Sequence, residues 1–504
     1  MMPNPPNILL ITSDQQHYDT LGVTNPHIRT PALDGLAAQG VRFDRAYCSN
    51  PTCSPSRASI ITGLYPAWHH CWTIGVKLPE DVPTVGEIFQ REGYLTALIG
   101  KAHLQPTRSA EGSESIETPE KLRDLDFWRT FHGPFYGFEH LEMTRGHTDE
   151  YMAGAHYAIW MEEKGLTNWR DYFRTWPRDA NEKPRRHKWD LPEEFHYTPW
   201  TAERTIAQIE RARRERRPFF IWSSFHDPHP SYLVPEPWDT MYDPADVPYP
   251  KHTPGEFDRM PPHFALTQEA HPDFSEYRET FGAHGFHSHL VDEKLMRKNI
   301  AVYYGMVSLM DKCIGRILDA LDTLGAADDT LVLFTTDHGH FLGQHGLVAK
   351  PAFHYEDMLR TPMLVRWRGR VPAGEVSSAL QSQVDFAPSF LAAAGLDIPG
   401  LMQGVDQLPV WTGKCDRVRD HVIVENRHEP TTVHLRTYID ERYKVTVYRD
   451  RPWGEIFDLQ ADPGELTNLW DAPEAAALKT RLLHRFVLAE LRREPTRMPR
   501  VSGA

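Results

Sequence analysis

Four short, β-rich apolar runs that break off into polar residues constrain this chain most. Residues 7–13 (NILLITS) run into Asp14-Gln15, and residues 95–99 end at Gly100-Lys101-Ala102-His103. Residues 219–225 end at His226-Asp227-Pro228-His229-Pro230, and residues 331–336 (LVLFTT) at Asp337-His338-Gly339. Apolar runs of this length without polar alternation fit strands buried on both faces, as in parallel sheets covered by helices. Helical spacing fills the intervals. Tyr303, Val307, Met310, Ile314, Ile317, Leu321 and Leu324 recur three or four apart, and residues 202–216 form an Arg-rich amphipathic pattern. The alternation predicts an α/β fold, a large, mainly parallel, doubly wound sheet flanked by helices. Ligands bind such sheets beyond the carboxyl ends of the strands, and all four polar groups fall there.

Length extends this to one large α/β body with an appended piece, because 504 residues exceed the usual size of a single core. The body is expected over residues 1–410. Two stretches in it lack sustained periodicity. Residues 105–200 carry Trp128, Trp160, Trp169, Trp176, Trp189 and Trp200, and residues 232–290 are rich in Pro and His. Both read as irregular insertions over the sheet edge, loops packing their own aromatics or, alternatively, a substrate lid. Beyond residue 410 the pattern changes to a hairpin over 433–448 turning at Asp440-Glu441-Arg442, a short strand at 455–459 and a helix over 475–491. That predicts a small α+β subdomain, residues 411–504, with an antiparallel sheet.

Several function classes are excluded. The net charge is −14 without a basic block, which argues against a nucleic-acid partner. The longest apolar runs, residues 8–11 and 331–334, fall far short of the ~18 residues of a membrane span. The start, Met1-Met2-Pro3-Asn4-Pro5-Pro6, shows no basic or apolar leader, so a cytoplasmic location is expected. Five scattered cysteines do not suggest a disulfide framework.

Cys53-Ser54-Pro55-Ser56-Arg57, followed by Ala58-Ser59-Ile60-Ile61-Thr62-Gly63, resembles the maturation signature of type I, formylglycine-dependent sulfatases of the alkaline-phosphatase-like superfamily. The resemblance extends along the chain in order. It takes in residues 7–15, Pro31-Ala32-Leu33-Asp34, Gly40-Val41-Arg42-Phe43, the Gly-Lys-x-His at 100–103 and the Pro-His at 228–229. Thr336-Asp337-His338-Gly339, Gly343-Gln344-His345-Gly346, Lys350 and Ile456-Phe457-Asp458-Leu459 continue it. It resembles the arylsulfatase and phosphonate monoester hydrolase group within that superfamily.

The resemblance implies that Cys53 is oxidised to Cα-formylglycine by a maturation enzyme. It further implies one divalent metal, calcium or manganese ahead of magnesium, on Asp14, Gln15, residue 53, Asp337 and His338. Lys101, His103 and Lys350 would bind the sulfuryl group, Arg57 would hold the hydrate, and His229 would be the general acid, with His226 its rival on sequence alone. The chemistry suits these residue types, since oxygen-rich ligands favour a hard cation, and cations offset the charge of an anionic ester. One hydroxyl of a formylglycine hydrate attacks sulfur, and the other expels sulfate from the covalent sulfo-enzyme by restoring the carbonyl.

Two departures from the family pattern stand out. Asp14-Gln15 replaces the paired acids of many sulfatases, and His338 stands where asparagine is common. The stretch His69-His70-Cys71-Trp72-Thr73-Ile74-Gly75 also lacks an asparagine that many relatives have. The expected activity is hydrolysis of sulfate monoesters, aryl or compact alkyl, with phosphonate monoester and phosphodiester side activities. A phosphonate monoester or phosphodiester hydrolase on the same site is the alternative, and a non-enzymatic protein on a decayed sulfatase fold is the rival from another class. Homo-oligomerisation is left open.

Overall fold

The computed structural model describes residues 5–175, 186–250, 252–277, 285–350, 352–427 and 432–495; Trp176 lies outside them. Strand β1 (Asn7–Ser13) is buried along its whole length, which fits its apolar run. It pairs in parallel on both sides, with Ile8 opposite Phe220 on one and Leu331 on the other. The main sheet has eight strands: β1, β2 (Val41–Phe43), β3 (Leu95–Gly100), β4 (His140–Met143), β5 (Phe219–Ser224), β6 (Thr330–Thr336), β7 (Leu364–Arg366) and β8 (Glu375–Ser377). Their spatial order is β8-β2-β7-β6-β1-β5-β3-β4. The run from β6 to β4 is parallel, as the sequence predicts, whereas β7 is antiparallel to both of its neighbours. At three residues, β7 is too short to show a periodicity of its own.

Alternate residues of each central strand feed two cores. Ile8, Leu10, Phe220, Trp222, Leu331 and Leu333 pack on one face with Ala58, Ile60 and Ile61 of helix α1 (Cys53–Thr62). Leu9, Ile11, Ile221, Val332 and Phe334 pack on the other. There they meet α2 (Tyr197–Glu215) and α3 (Glu293–Thr323), whose Val307, Met310, Ile314 and Ile317 form the predicted apolar face. No helix among the described residues is long and apolar enough to cross a membrane, and all five cysteines are free.

Two parts of the aromatic stretch differ from their reading as irregular loop. His140–Met143 is the parallel edge strand β4, and Ala155–Glu163 is a helix. Trp160, Trp169, Trp189 and Trp200 gather into one buried cluster, which is where their apolar surface goes.

Beyond residue 410, β9 (Val422–Arg427), β10 (His434–Ile439), β11 (Tyr443–Tyr448) and β12 (Gly454–Asp458) form an antiparallel sheet in that order. One face packs Ile423, Tyr438, Val445 and Ile456 against Leu482 and Phe486 of α4 (Ala476–Arg492). The other buries Val422, Val424, Ile439 and Phe457 against Phe341, Leu347, Phe353, Tyr355 and Met358. This second face anchors the loop after β6, which carries Lys350.

His345 is a further anchor of that loop. Its ring stacks on Tyr355 with centroids 3.7 Å apart. Nε2 lies 3.5 Å from Asp357 and Nδ1 3.8 Å from Glu256. Burial opposes a charge on this imidazole, but Asp357 and Glu256 outweigh it and raise its pKa to about 9. A raised pKa gives stability that is fully present below the unfolded value near 6.5 and is lost as pH rises through 9. It amounts to about 3 kcal/mol at most. Denaturant unfolding of the wild type and His345→Asn should therefore differ most at pH 6 and converge towards pH 10. A pH-independent difference would show that the imidazolium is not involved.

Candidate active site

Each of the four strand-end motifs delivers side chains to one place. Asp14 and Gln15 follow β1, Lys101 and His103 follow β3, His226 and His229 follow β5, and Asp337 and His338 follow β6. Helix α1 brings Cys53 in its first turn, and every residue of that helix is buried. The Cys53 Sγ lies 3.2 Å from His338 Nε2, 3.2 Å from Lys350 Nζ, 3.6 Å from Asp14 Oδ1 and 3.7 Å from Lys101 Nζ. Burial above all, with the charge of Asp14, pushes this thiol up against the pull of the two lysines. A buried thiol held protonated is a weak nucleophile.

Arg57, one helical turn on, points beneath the same spot and is fully buried. Nε donates to Asp337 Oδ2 at 3.0 Å, and Nη1 donates to Ser224 Oγ at 2.7 Å and the Lys101 carbonyl at 3.0 Å. Asp337 Oδ1 accepts the backbone N–H groups of Gln15 at 2.9 Å and His338 at 3.0 Å. Lys101 is ion-paired with Asp14 Oδ2. Burial alone would raise the Asp14 pKa, but Lys101, Arg57 and Lys350 together hold it well below the usual carboxylate range. The Asp14 carboxylate is therefore charged although it is fully buried.

The donor set fits a divalent cation. Ligand atoms of Asp14, Cys53, Asp337 and His338 all lie within 4.8 Å of one another. His338 Nδ1 contacts the Gly339 carbonyl at 2.9 Å and must carry the proton there, which leaves the Nε2 lone pair facing Cys53. Burial pushes the His338 pKa down to about 4, so the ring is a neutral ligand at ordinary pH. Gln15 Nε2 is 2.7 Å from His340 Nδ1, and its Oε1 is buried without a partner, a carbonyl oxygen free to ligate.

His229 lines the cavity with Nδ1 against the Pro230 carbonyl and Nε2 3.4 Å from Lys350 Nζ. Burial, then Lys350 and Lys101, hold its pKa well below the ordinary value. The rival His226 turns away, its Nε2 3.1 Å from the Thr144 carbonyl. His103 also lines the cavity, but its backbone N–H goes to Glu117 and its Nδ1 is buried without a partner. Among the described residues it makes no hydrogen bond to Cys53, and it stands in the cavity wall.

The cavity above Cys53 holds about 870 Å³, with Ile74, Met152, Phe274 and Phe286 among its walls. Residues 145–149 and 285–288 of the two irregular stretches line it, but none of the described tryptophans does. Trp160, Trp169, Trp189 and Trp200 instead pack one another, as in the first of the two readings of this stretch, while its residues 145–149 and Met152 reach the cavity. Two residues went unread in the sequence. Gln383 Nε2 donates to the carbonyls of Thr336 and Asp337 at 3.0 and 2.7 Å, while its Oε1 accepts from Ser56 Oγ at 2.8 Å, tying α1 to the end of β6. His147 sits against His229 and Lys101. Neither belongs to a motif, though the strand-end rule would have found His147 had β4 been recognised.

Residues 6–396 match the family model described as Sulfatase. The chain belongs to the sulfatase family. Residues 343–494 of this sulfatase-family chain also match a model described as N-sulphoglucosamine sulphohydrolase, C-terminal. It is 28% identical over 475 residues to an arylsulfatase of Clostridium perfringens, covering 93% of this chain and 91% of that one. It is 29% identical over 508 residues to the multifunctional alkaline phosphatase superfamily protein PehA of Trinickia caryophylli, covering 94% and 92%. Among solved structures it is similar to a phosphonate monoester hydrolase from Silicibacter pomeroyi. That match has a TM-score of 0.78 and 25% identity over 97% of this chain and 96% of that one.

Proposed function

We propose that this chain hydrolyses sulfate monoesters, aryl or compact alkyl, with Cys53 oxidised to Cα-formylglycine by a maturation enzyme. The observation that carries this reading is the approach of two ammonium groups, Lys101 and Lys350, to Cys53 Sγ beside Asp14, Asp337 and His338. Asp14, Gln15, residue 53, Asp337 and His338 would hold one divalent cation, calcium or manganese ahead of magnesium. When bound, it supplies positive charge at the nucleophile and the transferred group.

The chain's own residues account for the rest. One hydroxyl of the residue 53 hydrate gives up its proton to the adjacent Asp14 carboxylate and bonds to sulfur as the bond from sulfur to the alcohol oxygen breaks; that proton later leaves with the sulfate. The alcohol oxygen takes its proton from His229 Nε2. The second hydroxyl then gives its proton to His229 Nε2, left neutral by the first step, the carbonyl re-forms, and the C–O bond to sulfate breaks. Water restores the hydrate, so no second attack at sulfur is needed. Lys101 and Lys350 face the sulfuryl oxygens, and Arg57 keeps fixed positive charge under residue 53. Burial above all, then the same lysines, disfavour a protonated His229 in the free site, and an anionic ester bound between the lysines offsets their share of that penalty. Ile74, Met152, Phe274 and Phe286 suit an aryl leaving group. With Cys53, Arg57, Asp14 and Asp337 all present and gathered, a decayed non-enzymatic scaffold is disfavoured.

The likeness to the Silicibacter pomeroyi enzyme and to PehA favours a second reading, a phosphonate monoester or phosphodiester hydrolase using the same residues. The two are separated by kcat/KM on matched nitrophenyl sulfate, phenylphosphonate and phosphodiester. Sulfate is expected to lead, and Lys101→Ala is expected to cost about 10²–10³-fold on sulfate with little change on the diester. A phosphonate preference of tenfold or more, ~1.4 kcal/mol of transition-state binding, would replace the first reading with the second.

A further inference from the structure

His147 follows the short edge strand β4, at the same sheet edge as the four motifs, and has had no role so far. Its ring lies flat on that of His229, with centroids 3.7 Å apart and planes 8° from parallel. It meets His226 edge-on at 5.5 Å. Its Nε2 is 3.3 Å from Lys101 Nζ and 3.6 Å from Asp14 Oδ2. An ammonium only donates, so Nε2 meets Lys101 with its lone pair and the ring proton sits on Nδ1. His229 is held at one edge by the Pro230 carbonyl, to which its Nδ1 donates. That bond fixes one atom but not the plane of the ring. The parallel ring of His147 fixes the plane.

We infer that His147 is a positioning residue for proton delivery. Its stack sets the plane of His229 so that Nε2 faces the leaving oxygen, and its own Nε2 holds the Lys101 ammonium against Asp14. The inference deepens the hydrolase reading above and rests on it for the identity of the leaving oxygen. Proton delivery matters most when the departing alcohol is a poor leaving group, so a misplaced donor should show as a dependence on leaving-group pKa. A general loss of folding or of anion binding would not produce that dependence.

The test compares 4-nitrophenyl, phenyl and ethyl sulfate on the matured, metal-replete enzyme and its variants. His147→Ala is expected to lower kcat about 10²-fold on ethyl sulfate but only a few-fold on 4-nitrophenyl sulfate. His147→Phe keeps a flat ring and should recover at least about tenfold of the ethyl sulfate loss. It should still show a raised KM on all three esters, since Lys101 has lost its acceptor. In a His229→Ala background, His147→Ala should lower kcat by less than about a further twofold, because its effect on kcat, unlike that on KM, runs through that ring. An equal loss on all three esters, a full additional loss without His229, or a Phe variant no better than Ala would overturn the inference. If His147→Ala does not fold, the Phe variant decides alone. A leaving-group dependence like that of the wild type supports the stack, and a steeper one overturns it. Failure of the sulfate reading is distinguishable: the wild type would then prefer phosphonate monoesters tenfold or more, and the same comparison is made on aryl and alkyl phosphonates.

Discussion

Asp337→Ala is expected to leave the folded protein without bound divalent metal and to lower kcat/KM on its best sulfate ester by roughly 10⁴-fold or more. The size of the effect follows from the contacts of one carboxylate. Oδ1 accepts two backbone N–H groups, from Gln15 and His338, and Oδ2 accepts Arg57 Nε. Its loss leaves a fully buried guanidinium whose Nη2 has no hydrogen-bond partner and whose nearest remaining carboxylate, Asp14, is 4.0 Å away. Breaking a buried pair from one side costs about 3–5 kcal/mol, so Tm should fall as well. Asp14→Ala should likewise lose metal and activity while freeing Lys101 from its ion pair. Elemental analysis of the folded fractions checks both variants. A full metal complement in each would remove these aspartates from the metal set.

Cys53→Ser is expected to abolish turnover, roughly 10⁴-fold or more, with fold and metal content kept. The serine hydroxyl is small enough for the space of Sγ between Lys350 and His338. It can accept a sulfuryl group, but it has no second hydroxyl on the same carbon with which to release it. The variant should therefore give at most one equivalent of alcohol and retain sulfate on residue 53. Cys53→Ala should give none. Steady turnover by the serine variant at near wild-type rate would show that the aldehyde is not needed.

Much of this site was legible because its chemistry sits within a few residues of strong strand signals. Asp14, Lys101, His229 and Asp337 each follow a strand whose burial alone fixes its place in the sheet, so their convergence follows from the topology. The rest depends on contacts that no local pattern encodes. β7 and β4 are three and four residues long, too short for periodicity to report their direction or even their existence. His147 disappeared with β4 into a stretch dominated by tryptophans. Gln383 acts through hydrogen bonds to residues distant in the chain, which single-residue chemistry does not announce. In the sequence the tryptophans read first as packing one another, and Trp160, Trp169, Trp189 and Trp200 do so because large rings bury the most apolar surface against each other.

The central claim concerns the chemical state of residue 53, and mass spectrometry of the peptide containing it is the most direct test. Protein made with and without a formylglycine-generating enzyme should be compared, with activity measured on the same samples. The expected result is an aldehyde or its hydrate at residue 53, in a fraction that rises and falls with kcat across preparations. A fully active preparation in which residue 53 is found only as unmodified cysteine would contradict it.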